Sequence, residues 1–198
     1  MKYQFLSLLV LFFPMASHGH HPMGGEVPET AIQGLLSGLG HPIIELDHFL
    51  FVVGFACLLA FCSRQIITHT GLFLALTIVG TLGHLALPDL PFIETGIFLT
   101  IVIVGGFLLA QRLDSARLYW FLAPVAGLLH GYGYGGAVVG AENTAVFAYL
   151  IGFTMIQAVL MLSLVYLVRR LARNCPEGKF ALYRSINGAM LIGFAFFV

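Results

Sequence analysis

From residue 41 to its end the chain alternates long apolar runs with short polar breaks. The runs fall at about 41–62, 66–88, 92–111, 116–132, 144–169 and 180–198. At ~1.5 Å per helical residue, each comes close to the ~30 Å of a hydrocarbon core. The pattern predicts an all-α, polytopic membrane protein with six transmembrane helices in one membrane domain, residues 41–198. Ahead of it, Met1 to about Gly19 reads as a cleaved signal peptide. Lys2 supplies the charged start, Phe5 to Phe13 the apolar run, Pro14 the break, and Ser17 and Gly19 the small residues before a cut. Residues 20–40 then form an external tail and linker, with a short apolar helix leading into the first span.

Composition agrees with a membrane setting. The chain has 198 residues, 59% hydrophobic and only 9% charged, where soluble domains carry about 25% charged residues. A net charge of zero offers no basic field for nucleic acid. The three cysteines have no disulfide or zinc-finger spacing. Charge also sets orientation. With the mature N-terminus outside, Arg64, Arg112, Arg117, Arg169, Arg170, Arg173, Lys179 and Arg184 all fall in or beside inner loops. That is the positive-inside pattern, and it places the mature N-terminus on the external face of the membrane.

Eight histidines against nine Lys plus Arg are the unusual feature. His41, Glu45, Asp47 and His48 cluster where the first span begins. Pro42 suits the first turn of a helix, where its missing N–H costs nothing. In an unbroken helix His41, Glu45 and His48 share one stripe, with Asp47 on a neighbouring face. Two imidazoles and two carboxylates at a membrane helix end suit a transition metal. Geometry sets a condition. His41 and His48 are about 10 Å apart along a straight helix, too far to share one ion through ~2 Å bonds. Either the helix start is distorted, or each histidine joins a different partner. In the second case Asp47 and His48 pair with His130 or His84, and His41 and Glu45 form an outer site.

Other polar groups follow. His18, His20 and His21 give the tail a metal-capturing character. His84 reads equally as a ligand or as a helix-end histidine bonded to a carbonyl. His69, alone near the inner face, reads as a capping residue. Glu94 opens the third span, either as an N-terminal helix charge or as part of a pathway. The Gly127–Gly136 stretch, rich in glycine around His130, predicts irregular backbone whose carbonyls line a cavity. Thr154 and Gln157 predict interhelical hydrogen bonds, with Gln157 also a pathway candidate. Gly105, Gly106, Gly188 and Gly193 predict close helix packing.

The order of these motifs resembles the HupE/UreJ family of small bacterial membrane permeases linked with nickel and cobalt supply. The resemblance rests on His41-Pro42 followed by Leu46-Asp47-His48, on Pro91-Phe92-Ile93-Glu94-Thr95-Gly96-Ile97, and on Leu129-His130-Gly131 with Gly135. It spans nearly the whole chain. Two departures stand out: the family usually has glycine at the position of Glu45, and often histidines in the run held here by Tyr132 and Tyr134.

Residue chemistry alone admits Ni²⁺, Co²⁺, Zn²⁺ or Cu²⁺; the resemblance implies Ni²⁺ or Co²⁺ as the transported ion. The expected function is uptake of that ion through His41, Asp47 and His48, with Glu45, His130 and His84 as further ligands. Neither an enzymatic activity nor an organic cofactor is expected. Partners are the ion and membrane lipid, not nucleic acid; a homo-oligomer is compatible, and metal-dependent client enzymes are served only indirectly. The rival readings are a haem-binding membrane cytochrome, an intramembrane metalloenzyme with Glu45 as base, and a metal-binding accessory or sensor protein without transport.

Overall fold

A computed structural model describes residues 26–110, 116–173 and 175–197. The signal peptide, His18, His20, His21 and Arg112 lie outside the described residues. Within them the protein is all-α, with seven α-helices. These are α1 (Ala31–Ile44), α2 (Leu46–Cys62), α3 (Ile66–Ala86), α4 (Ile93–Leu109), α5 (Ala116–Gly135), α6 (Asn143–Ala172) and α7 (Glu177–Ala195). Helices α2 to α7 coincide with the six apolar runs to within a few residues.

Helix α1 starts ten residues before the first span was expected. Thr30 caps it: Thr30 Oγ accepts the Gln33 N–H at 3.3 Å, and Gln33 Oε1 accepts the Thr30 N–H at 3.0 Å. This reciprocal pair satisfies two donors that would otherwise be orphaned at the helix start. Pro42 therefore sits in the last turn of α1, not in the first turn of a span. It has no N–H to give the carbonyl of Gly38, which weakens that turn. The chain leaves the helix at Glu45, whose backbone is extended (φ −80°, ψ 112°). The Glu45 N–H closes α1 on the carbonyl of His41 at 3.1 Å, and the Glu45 carbonyl opens α2 by accepting from Phe49 at 3.0 Å. The two helix axes differ by 72°. This break overturns the unbroken stripe expected for His41, Glu45 and His48.

Helices α3 and α6 are each long and apolar enough to cross a membrane, and α1 with α2 qualifies as one bent pair. Helix α4 is a shorter apolar helix. Three packing seams join the elements. Helix α1 runs parallel to α6: a Cβ at Gly34 would strike the Ala145 backbone, and one at Gly38 the Tyr149 and Phe153 backbones. Helix α3 runs parallel to α5, where Gly127, Gly131 and Gly135 meet Phe73, Thr77 and His84 in turn. Helix α4 runs antiparallel to α7, with Gly105 against Gly188. Gly106 and Gly193, by contrast, face open space.

The α3–α5 seam corrects the reading of the glycine-rich stretch. It is regular helix through Gly135, followed by a short 3-10 turn, Gly136–Val138. The glycines are there for close approach, as small residues are at membrane helix interfaces. The polar groups of α6 differ from expectation too. Gln157 donates from Nε2 to the carbonyl of Phe153 in its own helix at 3.2 Å, not to a neighbour. At the other end of α2, Arg169 of α6 donates to the carbonyls of Ala60 (3.2 Å) and Ser63 (2.5 Å). These are carbonyls that the end of a helix leaves without intrahelical partners.

Candidate metal centre

The α1–α2 break gathers three donor side chains. His41 Nε2 lies 3.3 Å from Glu45 Oε2, and His48 Nε2 lies 3.9 Å from the same oxygen. The three ligand atoms all fall within 4.8 Å of one another. The bend makes this possible. A straight helix would hold residues seven apart about 10 Å from each other; here the two imidazoles stack with centroids 5.6 Å apart. Of the two arrangements left open by the sequence, the structure has the distorted helix start.

The depth of the cluster follows from its neighbours. Tyr149 Oη is 2.9 Å from His41 Nδ1. Tyr149 is six residues into α6, or roughly 9 Å along it. The cluster thus packs against the side of α6, at the junction of the α1 and α2 ends. His41 and His48 are each 1% exposed. Glu45 is the partly exposed member, its side chain 26% exposed.

Around the donors the walls are aromatic. The Tyr134 ring meets the edges of both imidazoles, with centroids 4.9 Å from His41 and 4.3 Å from His48. On the other side His130 packs against Phe51 at 4.3 Å, and Phe51, Phe55 and Phe73 form a fully buried ring cluster. One gap in the wall is Gly133. A Cβ there would come within 3.2 Å of His48 Cε1 and 3.3 Å of Nε2. Glycine at this position leaves space at the nitrogen that faces Glu45.

The remaining sequence candidates are placed elsewhere. Asp47, in the first turn of α2, accepts the backbone N–H of His48 on Oδ1 at 2.6 Å. It lies 3.6 Å from His48 Nδ1, on the side of the ring away from Glu45. His130 stands behind His48, with Nδ1 to Nδ1 at 3.0 Å, and its Nε2 is 2.9 Å from Thr100 Oγ. Both its ring nitrogens are occupied, so neither reaches the Glu45 carboxylate. His84 sits on the carbonyl of Tyr132 at 2.6 Å and pairs with exposed Asp89 at 3.0 Å. It is a helix-end histidine on a carbonyl, apart from the cluster. His69 contacts Ser63 Oγ at 3.0 Å across the α2–α3 link. Glu94 occupies the exposed first turn of α4. Gln157 is fully buried in α6, with Oε1 free of hydrogen bonds. Thr100 and Tyr149 were not singled out by the sequence, and no local pattern marks them; Gly133 belongs to the glycine-rich stretch around His130 that the sequence did mark.

The donor set suits a borderline divalent cation. His41 Nε2 is buried and has no hydrogen-bond partner, although a carboxylate oxygen is 3.3 Å away. Two imidazoles and one carboxylate are a common set for Ni²⁺, Co²⁺ and Zn²⁺. Bonds of ~2.1 Å at tetrahedral angles would space ligand atoms by about 3.4 Å, so the His41–Glu45 and His48–Glu45 separations of 3.3 and 3.9 Å are already near that spacing, while the two imidazole nitrogens would draw together by up to ~1.4 Å.

A comparison with curated proteins found no match, and a comparison with solved structures found none either. A family comparison did match. It runs over residues 7–197, essentially the whole chain, and by it the protein belongs to the HupE / UreJ protein family.

Proposed function

We propose that the chain is a six-span permease for Ni²⁺ or Co²⁺ in the bacterial inner membrane, with His41, Glu45 and His48 as its outer binding site. The observation that carries the reading is the convergence of three donors at a helix break inside a membrane domain. In a membrane, broken helices are tolerated where protein or a cavity satisfies the freed backbone, and ion sites are built at such breaks. Family membership supports metal transport, and the choice of nickel or cobalt rests on the family resemblance. Glu45 offers the ion a partly exposed first contact; the buried imidazoles then complete the shell. Release inward requires movement of Phe51, Phe55 and Phe73, which close the core beside His130.

Two measurements test this. Purified protein in liposomes should take up Ni²⁺ or Co²⁺ saturably, and Gly133→Ala should lower the affinity while leaving the melting temperature near wild type. The added methyl stands against His48 Nε2, where the ion must bind. Uptake unchanged by that methyl would remove the site from the path. Topology is read separately. Reporter fusions after Gly178 should be cytoplasmic and fusions at Val198 periplasmic, as six passes and the arginine distribution require. The reverse pattern would put the cluster on the wrong face.

A further inference from the structure

We infer that Thr100 and Tyr149 are positioning residues for the ion site: each ends a hydrogen-bond chain that holds one site histidine in its Nδ1–H form, leaving Nε2 bare toward Glu45. The inference rests on the reading of His41, Glu45 and His48 as ion ligands.

The proton positions follow from counting donors. A hydroxyl has one proton to give. Thr100 gives its own to the carbonyl of Ile97 at 2.6 Å. In its 2.9 Å contact with His130, Thr100 Oγ must therefore accept, so His130 carries its proton on Nε2. The Nδ1 of neutral His130 is then bare. It lies 3.0 Å from His48 Nδ1, and two bare nitrogens at that distance would repel. His48 Nδ1 must donate, which leaves His48 Nε2 bare on the Glu45 side. The second chain is shorter. Tyr149 gives its proton to the carbonyl of Tyr134 at 2.8 Å. Its 2.9 Å contact with His41 Nδ1 is then a donation from the ring, and His41 Nε2 is bare.

The two chains are independent. One runs from α4 through α5 to α2; the other runs from the end of α5 through α6 to α1. Both start on a backbone carbonyl, which cannot change its role as acceptor. Both end with a bare Nε2 aimed at one carboxylate. The hydrogen bond on one ring nitrogen decides which form the other presents to a metal. A histidine released from such a bond favours Nε2–H in water, which would put a proton in the place of the ion. Neither the Thr100 hydroxyl nor the Tyr149 phenol is among the three converging donors, yet each sets what a donor offers.

The test uses full-length protein with ¹⁵N-labelled histidine rings in detergent, without metal, at a pH where the rings are neutral. Ring ¹⁵N–¹H correlations should show His41 and His48 as Nδ1–H and His130 as Nε2–H. Thr100→Val should disturb His130 and His48 alone, and Tyr149→Phe His41 alone. Each should weaken Co²⁺ binding in calorimetry by ~10–100-fold, the usual cost of removing a group that orients a metal-binding histidine. Thr100→Ser should restore both readouts. An Nε2–H form at His41 or His48 in the wild type would overturn the inference, with no variant needed. So would variants that keep wild-type ring forms and affinity. A wild type that binds no Co²⁺ would overturn the ion-site reading itself, a result distinct from a wild type and variants that bind equally well.

Discussion

His48→Ala is expected to abolish saturable Ni²⁺ or Co²⁺ uptake in liposomes, and Glu45→Gln to come close to it. His48 is one of only two nitrogens at the cluster, and its loss also removes the partner of His130. Glu45 brings the negative charge. Gln keeps the volume and one acceptor, but a neutral amide cannot offset the charge of a divalent ion in a buried setting, where Coulomb terms are several times larger than in water. Losing a direct ligand should cost more than the ~10–100-fold lost with an orienting partner. Calorimetry with Co²⁺ separates loss of binding from loss of passage. Affinity within threefold of wild type in Glu45→Gln would reduce Glu45 to the residue where the helix breaks. The same outcome in His48→Ala would make the whole cluster structural.

The break itself shows where sequence reasoning ran out. Six apolar runs were legible because a 59% hydrophobic chain interrupts them only at polar links. The start of α1 is legible too, since Thr30 and Gln33 carry the spacing of a capping box just before an apolar stretch. Pro42 misled, because proline near a helix terminus fits a first turn better than a last one. What decides between them is nonlocal. Helix α1 ends at Glu45 against α6, more than one hundred residues later in the chain, through Gly34, Gly38 and Gly152. The positioning groups were beyond reach for the same reason. Thr100 meets a partner 30 residues away and Tyr149 one 108 residues away. A threonine or tyrosine inside an apolar helix has nothing local to announce that. The glycine-rich stretch of α5 suggests irregular backbone lining a cavity, although Gly127, Gly131 and Gly135 stand four apart, which is the spacing of one helix face. Glu45 was legible as a candidate ligand from its place between His41 and His48.

That nonlocal contact makes Gly38 the strongest test of how packing builds the site. Gly38→Leu is expected to eliminate ion binding without touching a ligand. A Cβ at Gly38 would lie 3.0 Å from the Phe153 nitrogen and overlap the Tyr149 carbonyl. Both obstacles are backbone in the middle of α6, so no rotamer change relieves them. Helix α1 has to move away. His41 sits about one turn further along, held to Tyr149 by a single 2.9 Å hydrogen bond. A displacement of even ~1 Å takes that bond outside the normal 2.7–3.2 Å range and carries His41 Nε2 away from His48. Overpacking of this kind costs ~1–3 kcal/mol, so the protein should melt at lower temperature yet still fold. Gly106→Leu is the matched control, since a Cβ there meets nothing within 4 Å. It should bind Co²⁺ as the wild type does. If Gly38→Leu binds equally well while melting lower, α1 is a stabilising strut whose exact seat on α6 does not set the site, and the cluster must be held together from the α2 side alone.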